Sequence, residues 1–67
     1  MMIEERLLKY VPKKLWNYVT VLYKHSDNAY TIYIEIDGVT YCGLADGVSE
    51  IRYAANHMYN NKQDYQI

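Results

Sequence analysis

Apolar and polar residues alternate most regularly in the middle of the chain. Every second position of one segment is apolar, and these residues are Tyr30, Ile32, Ile34 and Ile36. A period of two predicts a strand with one buried face. The dipeptide Asp37–Gly38 follows, which is the preferred sequence of a type I′ hairpin turn. The pattern predicts a hairpin in which Ile36 pairs with Val39 and Tyr33 with Cys42, so that Cys42 and Tyr33 share the outer face.

A helical period follows the hairpin. Apolar residues recur three or four positions apart, at Val48, Ile51, Ala55 and Met58. This spacing predicts an amphipathic helix that begins near Asp46, as its N-cap, and ends near Asn60. The polar outer face of this helix would carry Arg52, Tyr53, Asn56 and His57. Residues 60–67 are polar, and we expect them to fray.

The first 25 residues predict one further helix and one further strand. One helical face collects the apolar residues Ile3, Leu7, Leu8 and Val11. Pro12 then ends the helix, because the residue before a proline is disfavoured in the α region. The segment Leu15–His25 is rich in β-branched and aromatic residues, which predicts the first strand. Its two faces are both apolar, so the pattern does not decide which is buried: Leu15, Val19, Val21 and Tyr23, or Trp16, Tyr18, Thr20 and Leu22.

Together these elements predict an α+β domain with the order α-β-β-β-α. A three-stranded antiparallel meander with both helices packed on one face buries all of the apolar stripes. A chain of 67 residues makes one domain, so residues 1–67 are taken as a single unit. The opposite sheet face would be open to solvent or to a partner. The first and third strands would be edges with which a second chain could pair.

Tyrosine dominates the aromatic residues. The chain has nine tyrosines, one tryptophan and no phenylalanine. Tyrosine suits positions at which one end of the ring is dry and the other meets water, and it is enriched at the energetic centres of protein interfaces together with tryptophan and arginine. Most of these rings would be half-buried on a small sheet, and some would form a binding surface. The candidate interaction residues are Trp16, Tyr18, Tyr33, Arg52, Tyr53, Asn56 and His57.

Charge is distributed unevenly along the chain. The net charge is −1, but residues 1–25 carry five basic and two acidic groups, whereas residues 26–67 carry two basic and six acidic groups. This balance argues against the broad cationic surface that drives phosphate binding. Four lysines could still contact phosphate, or could be solvated surface residues: Lys9, Lys13, Lys14 and Lys24.

The predicted element order and the length are similar to those of a double-stranded-RNA-binding domain. That family holds phosphates with a lysine cluster at the start of its last helix, and its first helix contacts a minor groove. The matching stretch here, Ser49–Ala54, has one arginine and one glutamate instead. The resemblance is one of topology alone, and it implies weak nucleic-acid binding as an alternative function.

Residues capable of catalysis or metal binding are few and scattered. Cys42 is the only cysteine, which indicates either a reducing, intracellular setting or an intermolecular bridge. We favour the first and expect a cytoplasmic protein. His25, Cys42 and His57 lack the spacing of metal ligands. The predicted faces separate Cys42 from His57, which argues against a nucleophilic pair. We therefore expect no enzymatic activity, no cofactor and no metal.

The chain shows no signal-peptide pattern at its start. Its longest apolar run, Val19–Tyr23, is far too short to cross a membrane. We expect a small accessory or regulatory protein, of the kind frequent in bacteria and phages, that binds another protein through its aromatic surface. A homodimer formed through a sheet edge or the aromatic face is one form of such binding. Weak nucleic-acid binding through the N-terminal lysines is the alternative.

Overall fold

A four-stranded sheet forms the framework of the computed structural model, which describes residues 2–67. The strands are β1 (Met2–Ile3), β2 (Val19–Ser26), β3 (Ala29–Ile36) and β4 (Val39–Ala45), and they lie side by side in that order. β1 runs parallel to β2, and the other two pairs are antiparallel. The α-helix of residues 2–67 is α1 (Ile51–Asn60). Short 3₁₀ helices account for much of the remaining chain: Glu5–Tyr10, Lys13–Tyr18, Val48–Glu50 and Lys62–Asp64.

The β3–β4 hairpin has the register that the alternation predicts. Asp37 and Gly38 have φ angles of 54° and 81°, the left-handed values that a type I′ turn requires. Ile36 pairs with Val39 and Tyr33 pairs with Cys42. The two-residue turn and the period-two pattern specify the same strand pairing, so the register follows from the sequence.

One face of the sheet is buried beneath the helical segments. Apolar residues from every layer form the core: Leu7, Val11, Leu15, Val19, Leu22, Tyr30, Ile32, Ile34, Tyr41, Ala45, Ile51, Ala55 and Met58. α1 packs over β4, and a Cβ added at Gly43 would lie only 2.9 Å from Met58 Cγ. Glycine at this strand position therefore lets the helix approach the sheet closely.

The predicted three-stranded antiparallel meander with two helices is wrong. The sheet has four strands, one pair of which is parallel, and residues 2–67 contain one α-helix and short 3₁₀ helices. The resemblance to a double-stranded-RNA-binding domain rested on the order α-β-β-β-α, so it loses its structural basis.

The N-terminal helix is replaced by a strand and two 3₁₀ helices. Met2 and Ile3 pair with Val21 and Leu22, and the Glu4 amide donates to Leu22 O at 2.8 Å. This pairing leaves six residues before Val11, too few to sustain an α-helix, and short 3₁₀ turns form instead. A parallel pair joins residues far apart in the chain, so a local pattern does not reveal it.

The first predicted strand begins later than expected and contains a bulge. Leu15 and Trp16 belong to the second 3₁₀ helix, and β2 begins at Val19. Val19 pairs with Ile34, but the register then shifts, so that Leu22 pairs with Ile32. Val19 and Leu22 are therefore both buried, although the strict alternation placed them on opposite faces.

The start of the second helix also differs from the prediction. A 3₁₀ turn precedes α1, Gly47 occupies its N-cap position, and no side chain caps it. Asp46 is thus not the N-cap, and Val48 is 36% exposed instead of buried. The inner residues Ile51, Ala55 and Met58 are buried as predicted.

The C-terminal residues, which the sequence predicts to fray, are hydrogen-bonded in the structure. The Cys42 amide donates to Tyr65 O at 2.9 Å, and the Ile67 amide donates to Thr40 O at 3.1 Å. Tyr41 and Gln66 form an isolated bridge. The chain thus pairs its own end with part of the β4 edge, as β1 pairs with part of β2, and both expected edge strands are partly covered.

Candidate functional site

The structure distributes the predicted interaction residues over three places. Trp16 and Tyr18 lie on the second 3₁₀ helix, on the helical side of the sheet. Tyr33 lies on β3 and points to the opposite, uncovered side. The remaining four candidates lie on α1: Arg52, Tyr53, Asn56 and His57. Trp16 and Tyr18 do not share a sheet face with Tyr33, because residues 13–18 form a 3₁₀ helix and are not part of a strand.

The uncovered side of the sheet is apolar and aromatic. We call this surface the sheet face. The strand register assigns to it the apolar, aromatic and thiol side chains of Met2, Val21, Tyr23, Tyr33, Cys42 and Leu44, together with the polar residues Thr31, Glu35 and Thr40. Leu44 is 72% exposed and Met2 is 57% exposed. The positions of β1–β4 that point to this side include the acidic residue Glu35 but no lysine or arginine. The structure thus leaves an almost uncharged surface open to solvent.

Tyr33 and Cys42 are opposed at the centre of the sheet face. They are directly paired across β3 and β4. A hydrogen bond with the Cys42 side chain, and then the charge of a Cys42 thiolate, raise the pKa of Tyr33 above the ordinary tyrosine value. A tyrosine phenol is neutral at physiological pH in any case, and the raised pKa of Tyr33 extends the neutral range to higher pH.

A histidine closes one end of the sheet face. The His25 ring lies 4.2 Å from the Tyr23 ring, centre to centre. His25 Nε2 also hydrogen-bonds Thr31 Oγ1, which satisfies the hydroxyl of a residue that is only 8% exposed. These contacts explain His25 structurally, and they fix the orientation of the Tyr23 ring.

The outer side of α1 holds the C-terminal segment. His57 stacks on Tyr53, with ring centres 5.4 Å apart, and His57 Nδ1 hydrogen-bonds the Tyr65 hydroxyl. Asn61 Nδ2 donates to His57 O at 3.1 Å, which caps the end of the helix. His57, which the sequence proposes as an interaction residue, therefore contacts the C-terminal segment, whereas Tyr53 stacks on His57 and is 64% exposed.

A second surface, on the helical side, combines lysines with aromatic rings. We call Lys14, Tyr18, Tyr59 and Lys62 the lysine–tyrosine cluster. Tyr18 and Tyr59 are stacked, with ring centres 6.5 Å apart. Lys62 Nζ lies 4.0 Å from the centre of the Tyr59 ring, and Lys14 Nζ lies 5.7 Å from it. These are cation–π distances, and Lys62 Nζ also donates a hydrogen bond to Tyr59 O at 2.9 Å. Both ammonium groups therefore lie beside the Tyr59 ring.

The other predicted phosphate-binding lysines have different surroundings. Lys13 lies over Trp16 and Lys9 lies over Tyr10, at 5.9 and 5.2 Å from the ring centres. Lys24 instead forms an ion pair of 2.7 Å with Asp27. The hydrogen bond to Lys24 lowers the pKa of the Asp27 carboxyl. Lys24 is thus compensated, and it does not belong with the cluster.

A cleft adjoins the lysine–tyrosine cluster at the end of α1. It has a volume of about 410 Å³ and shares Tyr59 and Lys62 with the cluster. Its other lining residues are Tyr41, Asn60, Asn61, Gln63 and Gln66. Four side-chain amides thus meet two tyrosines and a lysine. No carboxylate, histidine or cysteine lines the cleft, and residues 2–67 contain no group of three or more such side chains placed to hold a metal ion.

Sequence reasoning missed several residues that the structure brings together. The sequence pattern places Tyr59 near the end of a helix and Lys62 in a fraying tail, so it does not reveal that Lys14, Tyr18 and Lys62 all contact the Tyr59 ring. Leu44 and Met2 were not recognised as exposed, because strand ends and a short parallel strand have no clear local pattern. A lysine three residues after a tyrosine at a helix end is the one local signal that could have indicated the Tyr59–Lys62 pair.

The comparisons with protein-family models, with curated proteins and with solved structures found no match for this chain. None of the helices in residues 2–67 is long and apolar enough to cross a bilayer.

Proposed function

We propose that this chain is a non-enzymatic binding protein, and that the sheet face is the surface with which it contacts another protein. The observation that carries this proposal is the exposure of apolar side chains on that face, with Leu44 at 72% and Met2 at 57%. The helical segments cover the opposite face of the same sheet. A small domain with one uncovered apolar face gains stability when a partner covers it.

The composition of the sheet face indicates what kind of partner it fits. Tyrosine and methionine are enriched in protein interfaces, whereas lysine is depleted. The sheet face has Tyr23, Tyr33 and Met2 but no lysine or arginine among its described positions. A largely apolar protein surface is therefore the complementary partner, and a nucleic acid, which Glu35 would repel, is not.

The size of the face limits the strength of this contact. The longest strands have eight residues, so they are about 27 Å long and lie about 4.8 Å apart. The four strands then offer roughly 400–500 Å², which is less than the ~800 Å² per partner of a standard stable interface. We expect a reversible complex with micromolar or weaker affinity.

Affinity capture with two matched variants tests the proposal. Leu44→Glu places a charge on the sheet face, whereas Tyr53→Ser changes a residue on α1 that is 64% exposed. Both should fold, because neither side chain is in the core. Leu44→Glu should weaken binding of the captured protein about tenfold or more, and Tyr53→Ser should retain it.

Sedimentation velocity of the purified protein over a range of concentrations identifies the case in which the partner is a second copy. Dimer formation that Leu44→Glu abolishes would support the proposal in that form. The proposal would be contradicted if the protein stayed monomeric and if Leu44→Glu weakened the binding of no captured protein. High salt should not weaken the complex, because apolar burial does not depend on charge screening.

A further inference from the structure

The lysine–tyrosine cluster and the adjoining cleft have a chemistry that the sheet face lacks. Two lysines project over the Tyr59 ring, and a second ring, Tyr18, stacks beside it. The geometry points to a binding site for single-stranded nucleic acid on the helical side of the molecule. This inference does not rest on the proposed function, since it concerns a different surface.

The charges of this region favour an anion. Neither Lys14 nor Lys62 is within 4.0 Å of a carboxylate in residues 2–67, whereas Lys24 and Arg6 are both paired with acidic side chains. Lys13 precedes Lys14 in the same 3₁₀ helix and adds a further positive charge, over the Trp16 ring. Asp64 is the acidic residue in the adjacent turn, so the local balance remains positive.

The rings distinguish this site from a simple patch of lysines. Proteins that bind single strands combine a cationic surface with aromatic side chains on which bases stack. Tyr18 is 36% exposed, so part of its ring is free for a base. The Lys14 ammonium, 5.7 Å from the centre of the Tyr59 ring, can move to a phosphate while a base takes its place on the ring, because cation–π contacts at exposed sites are weak. Lys62 Nζ also donates to Tyr59 O at 2.9 Å, so it can offer its remaining N–H groups to a phosphate without leaving its place.

The cleft supplies groups that read the edges of bases. Its volume of about 410 Å³ falls in the range of about 300–1,000 Å³ that small-molecule sites have. Asn60, Asn61, Gln63 and Gln66 line it with amide groups. Asparagine and glutamine can donate and accept hydrogen bonds at once, and Asn61, whose Nδ2 donates to His57 O, still offers its Oδ1 as an acceptor. An unpaired base can enter such a cleft, whereas a base in a duplex is already paired and stacked. We therefore infer a preference for single strands.

Fluorescence anisotropy with a labelled oligothymidylate of about ten nucleotides tests this inference. Two or three phosphate contacts predict a salt slope of about −1.4 to −2, so that raising the salt from ~50 to ~200 mM weakens binding about tenfold. The same length of duplex DNA and of polyglutamate serve as competitors. Both should compete less well than the unlabelled single strand.

Matched variants separate stacking from charge. Tyr18→Leu should weaken binding at least about fivefold without changing the salt slope, whereas Tyr18→Phe should bind like the original. Lys14→Gln should reduce the salt slope by about 0.7. Lys24→Gln removes the same charge at a residue paired with Asp27, and should leave the slope unchanged.

Two results would overturn the inference. One is the absence of any anisotropy change at low salt, with circular dichroism showing a folded protein. The other is equal binding of single strand, duplex and polyglutamate together with an unaltered affinity in Tyr18→Leu, which would describe a general polyanion surface. Leu44→Glu should not affect oligonucleotide binding, so failure here is distinguishable from failure of the sheet-face proposal.

Discussion

At the scale of single residues, Gly43 determines how closely the helix and the sheet approach. Met58 Cγ lies 2.9 Å from the position that a Cβ at Gly43 would take, which is closer than real Cβ contacts allow. Met58 is fully buried by Ile51, Ala55 and the strands below, so it has little room to move. The two residues therefore form a tight contact in which any added atom must displace the core.

Gly43→Ala should accordingly destabilise the protein by about 1–3 kcal/mol, because overpacking forces Met58 from its position. Gly47→Ala is the matched control, since nothing lies within 4 Å of its added Cβ and its φ of −173° is extended. It should cost less than about 1 kcal/mol. Urea unfolding measures both. A Gly43→Ala variant as stable as the original would show that α1 does not pack on β4 in this way.

Tyr33 gives a prediction about pH. The hydrogen bond with Cys42 and the Cys42 thiolate charge raise the Tyr33 pKa, so the folded protein holds this proton more tightly than the unfolded chain does. The associated stability is intact below the ordinary tyrosine pKa of about 10 and is lost as the pH rises through the higher Tyr33 value. Carbon-13 NMR of labelled tyrosines should show Tyr33 titrating late, and Cys42→Ala should lower its pKa. An unchanged pKa in Cys42→Ala would mean that the two side chains do not interact.

At the scale of secondary structure, the bulge in β2 decides which residues enter the core. It lies between Val19 and Val21, and it turns Leu22 to the same side as Val19. Leu22 is 0% exposed, whereas Val21 remains half-buried on the sheet face. A bulge adds one residue to one strand, so a strict alternation places every later side chain on the wrong face.

Leu22→Ala should therefore cost about 2–5 kcal/mol, a large share of the ~3–10 kcal/mol expected for a domain of this length. Val21→Ala should cost about 1 kcal/mol or less, because its side chain is not in the core. Denaturant unfolding of the Leu22→Ala and Val21→Ala variants measures both changes in the free energy of unfolding. If Val21→Ala lowered the free energy of unfolding more than Leu22→Ala, the bulge would be absent and Val21 would lie in the core instead of Leu22.

Some elements could be predicted from sequence because local and distant signals agree in them. The hairpin has both alternation and Asp37–Gly38, and α1 has a regular inner face, so the register and the buried residues Ile51 and Met58 follow. The N-terminal third could not be predicted, because β1 forms by pairing with a strand almost twenty residues away. The lysine–tyrosine cluster was missed for the same reason, since Lys14 and Tyr59 meet only through the fold.

At the scale of the whole molecule, the two sides of the sheet differ in chemistry. The helical side carries lysines over aromatic rings, and the sheet face carries exposed apolar residues without lysine or arginine among its described positions. The sequence shows that residues 1–25 are more basic than residues 26–67. The fold is needed to show which charged side chains share a surface. The two proposals accordingly assign an apolar partner to the sheet face and an anion to the helical side.

The alkylation rate of Cys42 tests the central claim most directly, because this lone cysteine lies within the sheet face. We predict that the folded protein reacts, that mild urea below the unfolding transition leaves the rate unchanged, and that the rate falls when a partner or a second copy binds. A thiol that reacts only as fast as the whole protein unfolds would show that this face is covered. That result would contradict the proposed binding surface.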